Sequence, residues 1–257
     1  MQPNGVFLVT GPTGSGKTTT LYACLRMLNT IDTKILTAED PVEFPVEGIV
    51  QCHIVEAMGM TFSKALKSFL RQDPDIILVG EMRDLETASI GIEAALTGHL
   101  VVSTLHTNSS TEAITRMLDM GVEPFMISSS VNGVLAQRLC RTLCRDCREP
   151  YHPTALELEQ IGVSADDPRV AKAHFHRAKG CAQCGGSGYA GRMGLHELLV
   201  PDEGVKRLVV DKADAGSIKK AALRAGMKTL LMDGAIKAME GTTTIEEVMR
   251  IATAAVD

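Results

Sequence analysis

The first half of the chain alternates short apolar runs with segments that repeat apolar residues at helical spacing. The apolar runs cover residues 6–9, 34–38, 76–79 and 100–105, and their continuity predicts strands that are buried on both faces. Strands that alternate with helices favour an α/β fold, in which a largely parallel central sheet carries helices on both faces. Ligands of such sheets bind at the carboxyl ends of the strands.

Helices are predicted between these strands and after them. Residues 17–29 and 61–71 repeat apolar side chains at the spacing of one helix face. Asp84 is expected to cap a third helix, which ends at Gly98, shortly before the fourth strand. Two more helices are expected over residues 110–120 and 124–137.

The chain is expected to divide into three parts. Residues 1–137 form the core with the sheet. Residues 138–200 are rich in Cys, Arg, Gly and Pro and show little apolar periodicity. We therefore expect a small subdomain that needs a stabilising crosslink, after which the chain returns to the core. The pattern of residues 201–257 predicts a C-terminal helical subdomain. Within it, Thr243 and Glu246 match a capping box at the start of the last helix.

Composition and charge are those of a soluble globular protein. Of the 257 residues, 45% are apolar and 22% are charged. The net charge of -5 argues against a nucleic-acid-binding protein, which usually carries a basic patch. The sequence has no apolar run near the ~20 residues of a membrane helix and no signal peptide. We therefore expect a cytoplasmic protein without direct membrane insertion.

Eight residues between the first predicted strand and the first predicted helix match G-x-x-x-x-G-K-[ST] in full. The glycines of such a loop let backbone N–H groups converge on phosphate, and the following helix points its positive end at the same anion. Lys17 is expected to reach the β- and γ-phosphates of a nucleotide, and Thr18 to bind Mg²⁺. The motif consists of Gly11, Pro12, Thr13, Gly14, Ser15, Gly16, Lys17 and Thr18.

The acidic residue beside the third predicted strand departs from the usual pattern. Nucleotide-hydrolysing enzymes with this loop hold Mg²⁺ with an Asp at the end of an apolar strand. Here Asp73 and Asp75 precede the strand at 76–79, and Glu81 follows it. Glu81 is therefore the candidate carboxylate on the metal side.

Further polar groups follow the neighbouring strands. Glu39, Asp40 and Glu43 come after the second strand, where a carboxylate can orient or deprotonate the water that attacks the γ-phosphate. His99 and His106 bracket the fourth strand, and a His near the γ-phosphate can sense it by hydrogen bonding. His106 is the better candidate, because it lies at the carboxyl end of its strand.

Four of the seven cysteines form two C-x-x-C pairs. Cys144 and Cys147 form the first pair, Cys181 and Cys184 form the second, and 33 residues separate the two pairs. This spacing predicts a structural zinc site with four thiolate ligands. An iron–sulfur cluster or redox dithiols are the alternatives. Cys140 is interpreted as a thiol on a helix face, from which it can compete as a ligand.

Four segments together resemble the type II secretion and type IV pilus assembly ATPases of the secretion ATPase superfamily. They are the phosphate loop, the acidic segment 39–43, the segment 71–84 and the His-containing segment 98–107. The resemblance extends over essentially the whole chain and corresponds to the C-terminal motor domain of such proteins.

The resemblance implies a RecA-like P-loop NTPase fold and ATP hydrolysis coupled to mechanical work. It assigns Glu43 as the catalytic glutamate that polarises water, Glu81 as the carboxylate near Mg²⁺, and His106 as the γ-phosphate sensor. It also implies a homo-hexamer that works with inner-membrane platform proteins, so the protein is expected to be peripheral to that membrane. The two C-x-x-C pairs are typical of the assembly and secretion branch and absent from the pilus-retraction branch.

One departure concerns the start of the sequence. Family members carry a domain before the phosphate-loop strand, and it supplies arginines to the active site, whereas this sequence begins five residues before that strand. We therefore expect the chain to bind nucleotide and to hydrolyse it slowly. Arg71 and Arg83 remain as candidates to stabilise transition-state charge across a subunit boundary.

Two other functions compete with this interpretation. A DNA-translocating or conjugation-type secretion ATPase uses the same scaffold, but it predicts a basic surface that the net charge of -5 does not favour. A nucleotide-switched scaffold without hydrolysis is disfavoured by the presence of both Glu43 and Glu81.

Overall fold

Strands and helices alternate along the first half of the chain, as the apolar pattern predicts, in a computed structural model that describes residues 3–253. The strands are β1 (Gly5–Thr10), β2 (Ile35–Glu39), β3 (Val50–His53), β4 (Ile76–Val79), β5 (Leu100–Leu105), β6 (Val131–Leu143), β7 (Glu149–Pro150), β8 (His176–Arg177) and β9 (Tyr189–Leu199). The helices are α1 (Lys17–Leu28), α2 (Phe62–Phe69), α3 (Leu85–Leu96), α4 (Ser110–Asp119), α5 (Pro124–Ser130), α6 (Ala155–Gln160), α7 (Glu203–Val210), α8 (Ala215–Arg224), α9 (Leu230–Met239) and α10 (Ile245–Thr253). Within the described part of the chain, every helix is too short or too polar to cross a bilayer.

Seven strands form one sheet in the order β3-β2-β4-β5-β1-β6-β9. The strand before the phosphate loop, β1, pairs in parallel with β5 and β6. The next strands continue the parallel pairing, β5 with β4, β4 with β2, and β2 with β3. The loops after β1, β2, β4 and β5 therefore emerge at one edge of the sheet. The mixed α/β fold with a mostly parallel central sheet is confirmed.

Helices cover both faces of this sheet because its strands are apolar on both sides. On one face, Val9 and Leu78 pack with Leu21 of α1. On the other face, Leu8 and Ile77 belong to a core that includes residues of α2, α3 and α4. All four residues of β4 are buried, which explains why its sequence is a continuous apolar run.

One predicted helix is wrong. Residues 124–137 do not form a single helix, since α5 ends at Ser130 and β6 begins at Val131. Val134 of β6 pairs with Leu8 of β1 and is fully buried. This pairing in the sheet overrides the local helical pattern. Cys140 therefore lies buried on a strand, and its interpretation as a thiol on a helix face is also wrong.

The described residues fold into two compact units. The first contains residues up to 136 together with Leu198–Met227, and the second contains Gln137–Glu197 together with the residues from 228 onward. The helical C-terminal region contributes helices to each unit, and the predicted division into three parts stays a prediction. Helices α7 and α8 pack into the core of the first unit, and α9 and α10 pack with α6 in the second.

A buried ion-pair network lies within the second unit. The carboxylate of Glu247, in α10, is fully buried and accepts hydrogen bonds from the backbone N–H and the guanidinium of Arg141 at 2.8–3.0 Å. The Arg250 guanidinium donates to it as well, at 2.6 and 2.9 Å. Arg141 also stacks 4.0 Å above the ring of Tyr189. Two arginines and a backbone amide thus compensate the burial of this charge.

Candidate active site

The loop between β1 and α1 has the geometry of a phosphate cradle. Gly14 and Gly16 adopt φ angles of 78° and 87°, in the left-handed region that side chains with a Cβ disfavour. Lys17 lies over the loop, where its ammonium group donates to the carbonyls of Gly11 at 2.7 Å and Pro12 at 3.1 Å. The structure therefore places the Lys17 charge at the mouth of the loop, at the N-terminus of α1.

Side-chain hydrogen bonds hold the neighbouring loops at the same edge. The hydroxyl of Thr10, the last residue of β1, accepts a hydrogen bond from the backbone N–H of Thr107 at 2.9 Å. It also forms a hydrogen bond of 2.7 Å with the hydroxyl of Thr107. The hydroxyl of Thr104, in β5, donates to the carbonyl of Gly80 at 2.7 Å. These bonds fix the residues that follow β4 and β5 relative to the phosphate loop.

Glu81 follows β4 and is held by two partners. Its Oε2 accepts from the Nε of Arg83 at 2.7 Å, and its Oε1 lies 3.3 Å from the Nε2 of His106. The hydrogen bond with Glu81 raises the pKa of Arg83. The Glu81 side chain is 17% exposed, so one carboxylate lies in a partly water-excluded site between two basic groups.

The acidic residues after β2 separate into two environments. Glu39 is 3% exposed and accepts hydrogen bonds from the hydroxyl of Thr37 at 2.6 Å, from the amide of Gln51 at 3.1 Å and from the hydroxyl of Tyr22. Burial and the bond to Glu39 raise the pKa of Tyr22 to about 12. Asp40 and Glu43 are exposed.

A cleft joins several of the predicted site residues of the first unit. It brings together Thr18 from the phosphate loop, Glu43 from the acidic segment and Glu81 from the end of β4. The lining residues are Thr18, Leu21, Tyr22, Glu39, Asp40, Pro41, Glu43, Phe62, Leu78, Gly80, Glu81, Arg83 and Thr104. A hydroxyl and a carboxylate that share a cleft are hard oxygen donors of the kind that Mg²⁺ prefers.

The two histidines and the two arginines lie in different places. His106 contacts Glu81 at the cleft, whereas His99 lies at the other end of β5, where its Nδ1 is 2.8 Å from the carbonyl of Ala94. Arg83 lines the cleft. Arg71 is exposed and donates to the carbonyl of Lys67, at the end of α2.

Sequence reasoning missed two polar residues of this site, Tyr22 and Gln51. Tyr22 is on the buried face of α1, so its position in the apolar pattern did not distinguish it from a residue of the hydrophobic core. Gln51 is on β3, an edge strand whose exposed and partly buried residues give no continuous apolar run. The signal that was available is the short polar segment 51–53 next to the acidic loop.

The second unit holds the four paired cysteines in a single cluster. The Sγ atoms of Cys144, Cys147, Cys181 and Cys184 all lie within 4.8 Å of one another. The Sγ separations are 3.9 Å for Cys144 and Cys181, 3.8 Å for Cys147 and Cys184, and 3.7 Å for Cys181 and Cys184. Cys140 is not part of this cluster.

These separations fit one tetrahedral ion. Zn–S bonds of about 2.3 Å in a tetrahedron place neighbouring sulfurs about 3.8 Å apart. The Sγ of Cys184 also accepts from the backbone N–H groups of Cys181 at 3.2 Å and Gly188 at 3.1 Å, and such donors stabilise a thiolate. An iron–sulfur cluster would spread the four thiolates over several iron atoms, so the geometry favours a single ion.

A glycine keeps the loop before the second pair in place. Gly180 has a φ of 99°, and a Cβ at this position would lie 2.4 Å from the carbonyl oxygen of Gly186. Neither the backbone angle nor the space admits a side chain here. The local sequence thus fits the tight loop that carries Cys181 and Cys184.

Comparisons with known proteins agree with these features. Residues 1–250 match the family model described as type II/IV secretion system protein. The chain is 50% identical over 250 residues to the type II secretion system ATPase E of Vibrio cholerae, covering 97% of this chain and 49% of that protein. It is 50% identical over 248 residues to the type IV pilus assembly ATPase PilB of Thermus thermophilus, covering 96% and 28%. The chain thus spans half or less of these relatives.

A solved structure is similar as well. The crystal structure of the pilus retraction motor PilT with bound ADP has a TM-score of 0.69 and 28% sequence identity. The similarity covers 96% of this chain and 61% of that one.

Proposed function

Because the chain belongs to the type II/IV secretion system protein family, we propose that it is an ATP-hydrolysing motor that powers type IV pilus assembly or type II protein secretion. The relatives named above are ATPases of these two kinds. The observation that carries the proposal is the cleft that Thr18, Glu43 and Glu81 share beside the phosphate loop. ADP in the similar motor PilT supports an adenine nucleotide as the ligand.

In this function the phosphate loop and Lys17 bind the β- and γ-phosphates of ATP. Thr18 and Glu81 would hold Mg²⁺, which neutralises charge that develops on the phosphate oxygens. Since Arg83 bonds one oxygen of Glu81 and His106 lies 3.3 Å from the other, its carboxylate is positioned before the nucleotide arrives. Arg83 supplies a further positive charge within the cleft.

Glu43 orients the attacking water. It is exposed, so water reaches its carboxylate, and it lines the same cleft as Thr18. Glu39 does not suit this role, because donors from Tyr22, Thr37 and Gln51 occupy its two oxygens. His106 detects the γ-phosphate by forming a hydrogen bond with it. It is placed to do so because it follows β5 at the edge of the cleft and contacts Glu81.

The cysteine cluster would bind Zn²⁺ as a structural ion. The four thiolates are the residues that would hold it, and the ion would contribute free energy to the folding of the second unit. The cluster supports a role in assembly or secretion, since the resemblance assigns these pairs to that branch.

The motor acts as a homo-hexamer on the cytoplasmic side of the inner membrane, with platform proteins of a pilus or secretion machine as its partners. The names of the PilB and secretion ATPase relatives support a pilus or secretion machine as the setting.

ATP turnover by a Glu43→Gln variant tests the proposal. We expect ATP affinity close to that of the unchanged chain and a turnover at least roughly 100-fold lower, because the amide no longer accepts a proton from water. Glu47→Gln is the matched control, since Glu47 is an exposed glutamate on the same segment, and it should leave both values unchanged. Unchanged turnover in Glu43→Gln would exclude its role, and no nucleotide binding by the unchanged chain would overturn the function.

Added duplex DNA separates the proposal from a DNA-translocating ATPase. Turnover that is insensitive to DNA supports a secretion or pilus motor. Salt-sensitive binding to DNA together with stimulated turnover would instead favour the alternative.

A further inference from the structure

We propose that Gln51 is a positioning residue of the cleft, because its side-chain amide ties the segment that carries Glu43 to the buried carboxylate of Glu39. The inference rests on the proposed role of Glu43 in ATP hydrolysis. Gln51 is not among the residues that line the cleft, so it would act through the position of Glu43.

The amide of Gln51 reaches both sides of the connection. Its Oε1 accepts from the backbone N–H of Val46 at 2.7 Å, and its Nε2 donates to the carbonyl of Phe44 at 3.2 Å. The same Nε2 lies 3.1 Å from Oε1 of Glu39. The Gln51 side chain thus hydrogen-bonds the backbone immediately after Glu43 and links it to the end of β2.

Glu39 is suited to be the fixed end of this link. It is the last residue of β2 and is 3% exposed, so moving its carboxylate would break several hydrogen bonds inside the protein. One of its donors is the hydroxyl of Tyr22, on the helix that follows the phosphate loop. Glu39 therefore connects the phosphate-binding helix to Gln51.

The segment that carries Glu43 has further attachments to α1 and β3. The Arg26 guanidinium lies 5.6 Å from the centre of the Phe44 ring, and the backbone N–H of Val42 donates to Nδ1 of His53 at 3.4 Å. Glu43, Phe44 and Pro45 are exposed. The Phe44 ring meets the Tyr22 ring edge-on at 4.7 Å, so the second attachment leads to the same helix. Tyr22 and Gln51 therefore contribute directly to the distance between Glu43 and the phosphate loop.

Loss of the Gln51 amide should displace Glu43 without disturbing the phosphate loop. A misplacement of about 1 Å can lower a rate by roughly 100-fold. A Gln51→Met variant keeps the length of the side chain and removes its hydrogen bonds. We expect kcat for ATP hydrolysis to fall by roughly 10- to 100-fold, while the Kd for ADP stays within about two-fold.

A second background separates positioning from general stabilisation. If Gln51 acts through Glu43, then Gln51→Met should cost little further activity in a Glu43→Gln chain. An equal fold-loss in both backgrounds would overturn the inference, and so would a Gln51→Met chain with the kcat of the unchanged protein. Gln72→Met, at an exposed glutamine of the same unit, is the control and should be neutral.

Hydrogen exchange supplies a readout that does not depend on turnover. In Gln51→Met the amide of Val46 loses its acceptor, so residues 42–48 should exchange faster while residues 11–16 keep their rate. Unchanged exchange over 42–48 would refute the link even if turnover fell. Tyr22→Phe is a milder second variant that keeps the ring, and it should lower kcat in the same direction. If Glu43→Gln retains turnover but the exchange change occurs, the proposed role of Glu43 fails and the structural link stands.

Discussion

The Nε2 of His106 lies 3.3 Å from Oε1 of Glu81, so the residues that follow β5 and β4 meet at the carboxyl edge of the sheet. Arg83 occupies the other oxygen of the same carboxylate at 2.7 Å. This contact places the histidine beside the residue proposed to hold Mg²⁺. It also gives the two histidines of the fourth predicted strand different surroundings.

We predict that His106→Ala weakens the binding of ATP and spares that of ADP. A hydrogen bond to a charged phosphate contributes about 1.5–3 kcal/mol, so the ATP affinity should fall by roughly 10-fold or more. Titration with both nucleotides in the presence of Mg²⁺ measures the difference. His99→Ala is the matched control, because His99 bonds the carbonyl of Ala94 at the other end of β5. Equal weakening of ATP and ADP would contradict a sensor role.

The cysteine cluster predicts one tightly bound Zn²⁺ per chain. Cys181→Ala removes one of four ligands and should lower the zinc content and the unfolding temperature, because metal binding contributes folding free energy. Metal analysis and thermal unfolding with and without a chelator measure both effects. Cys52→Ala, at a cysteine outside the cluster, should retain full zinc content. A chain that unfolds at the same temperature after metal removal would rule out a structural ion.

Glu247 predicts an acid-sensitive contribution to stability. Burial by itself would raise the pKa of Glu247, but hydrogen bonds from Arg250 and Arg141 outweigh burial and lower it to about 2. Because the pKa is lower in the folded than in the unfolded chain, the stabilisation is complete above about pH 4.5 and is lost as the pH falls toward 2.

Urea unfolding across this pH range tests the prediction. At neutral pH, Glu247→Gln should reduce the free energy of unfolding by roughly 3 kcal/mol, and the difference should vanish near pH 2. Glu246→Gln changes the exposed neighbour and should follow the unchanged chain at each pH. A constant difference between Glu247→Gln and the unchanged chain would mean that the carboxylate charge does not supply the stabilisation.

Gly234 permits a close packing of two helices in the second unit. A Cβ at this position of α9 would lie 2.6 Å from Cγ1 of Val248, in α10. Gly234→Ala should therefore destabilise by about 1–3 kcal/mol, although Ala favours the helix by about 1 kcal/mol. Adding Val248→Ala should relieve the contact, so the two changes should be non-additive in a double-mutant cycle.

Gly204→Ala is the matched control for this prediction. Gly204 lies in α7, and a Cβ there would have its nearest neighbour at 3.4 Å, an ordinary contact. It should be neutral or slightly stabilising. Strictly additive effects of Gly234→Ala and Val248→Ala would show that the two side chains do not interact.

The sequence was most informative where a single local pattern decides the structure. The continuous apolar runs predicted β1, β2, β4 and β5 to within one residue at each end. A strand that is buried on both faces is apolar throughout, so its own sequence identifies it without knowledge of the neighbouring strands. The cap at Asp84 is present, with its side chain accepting from the N–H of Thr87 at 2.8 Å. The last helix has its cap one residue later than predicted, at Thr244.

Features that depend on distant partners were not accessible in this way. Residues 131–136 become a strand because they pair with β1, more than 120 residues earlier in the chain. The separate roles of Glu39 and Glu43 follow from which one is buried against Tyr22 and Gln51. Neither fact is encoded in the acidic segment itself. The catalytic and metal-binding roles of the site residues remain predictions.

The close approach of the four cysteine sulfurs has a consequence for handling the protein. Sulfurs 3.7–3.9 Å apart need only a small movement to form a covalent bond under air, so a chain stripped of its ion becomes a substrate for oxidants. Occupation by a redox-inert cation would shield these thiolates. Samples prepared with strong chelators and without a reductant should therefore accumulate crosslinked species that no longer accept the ion.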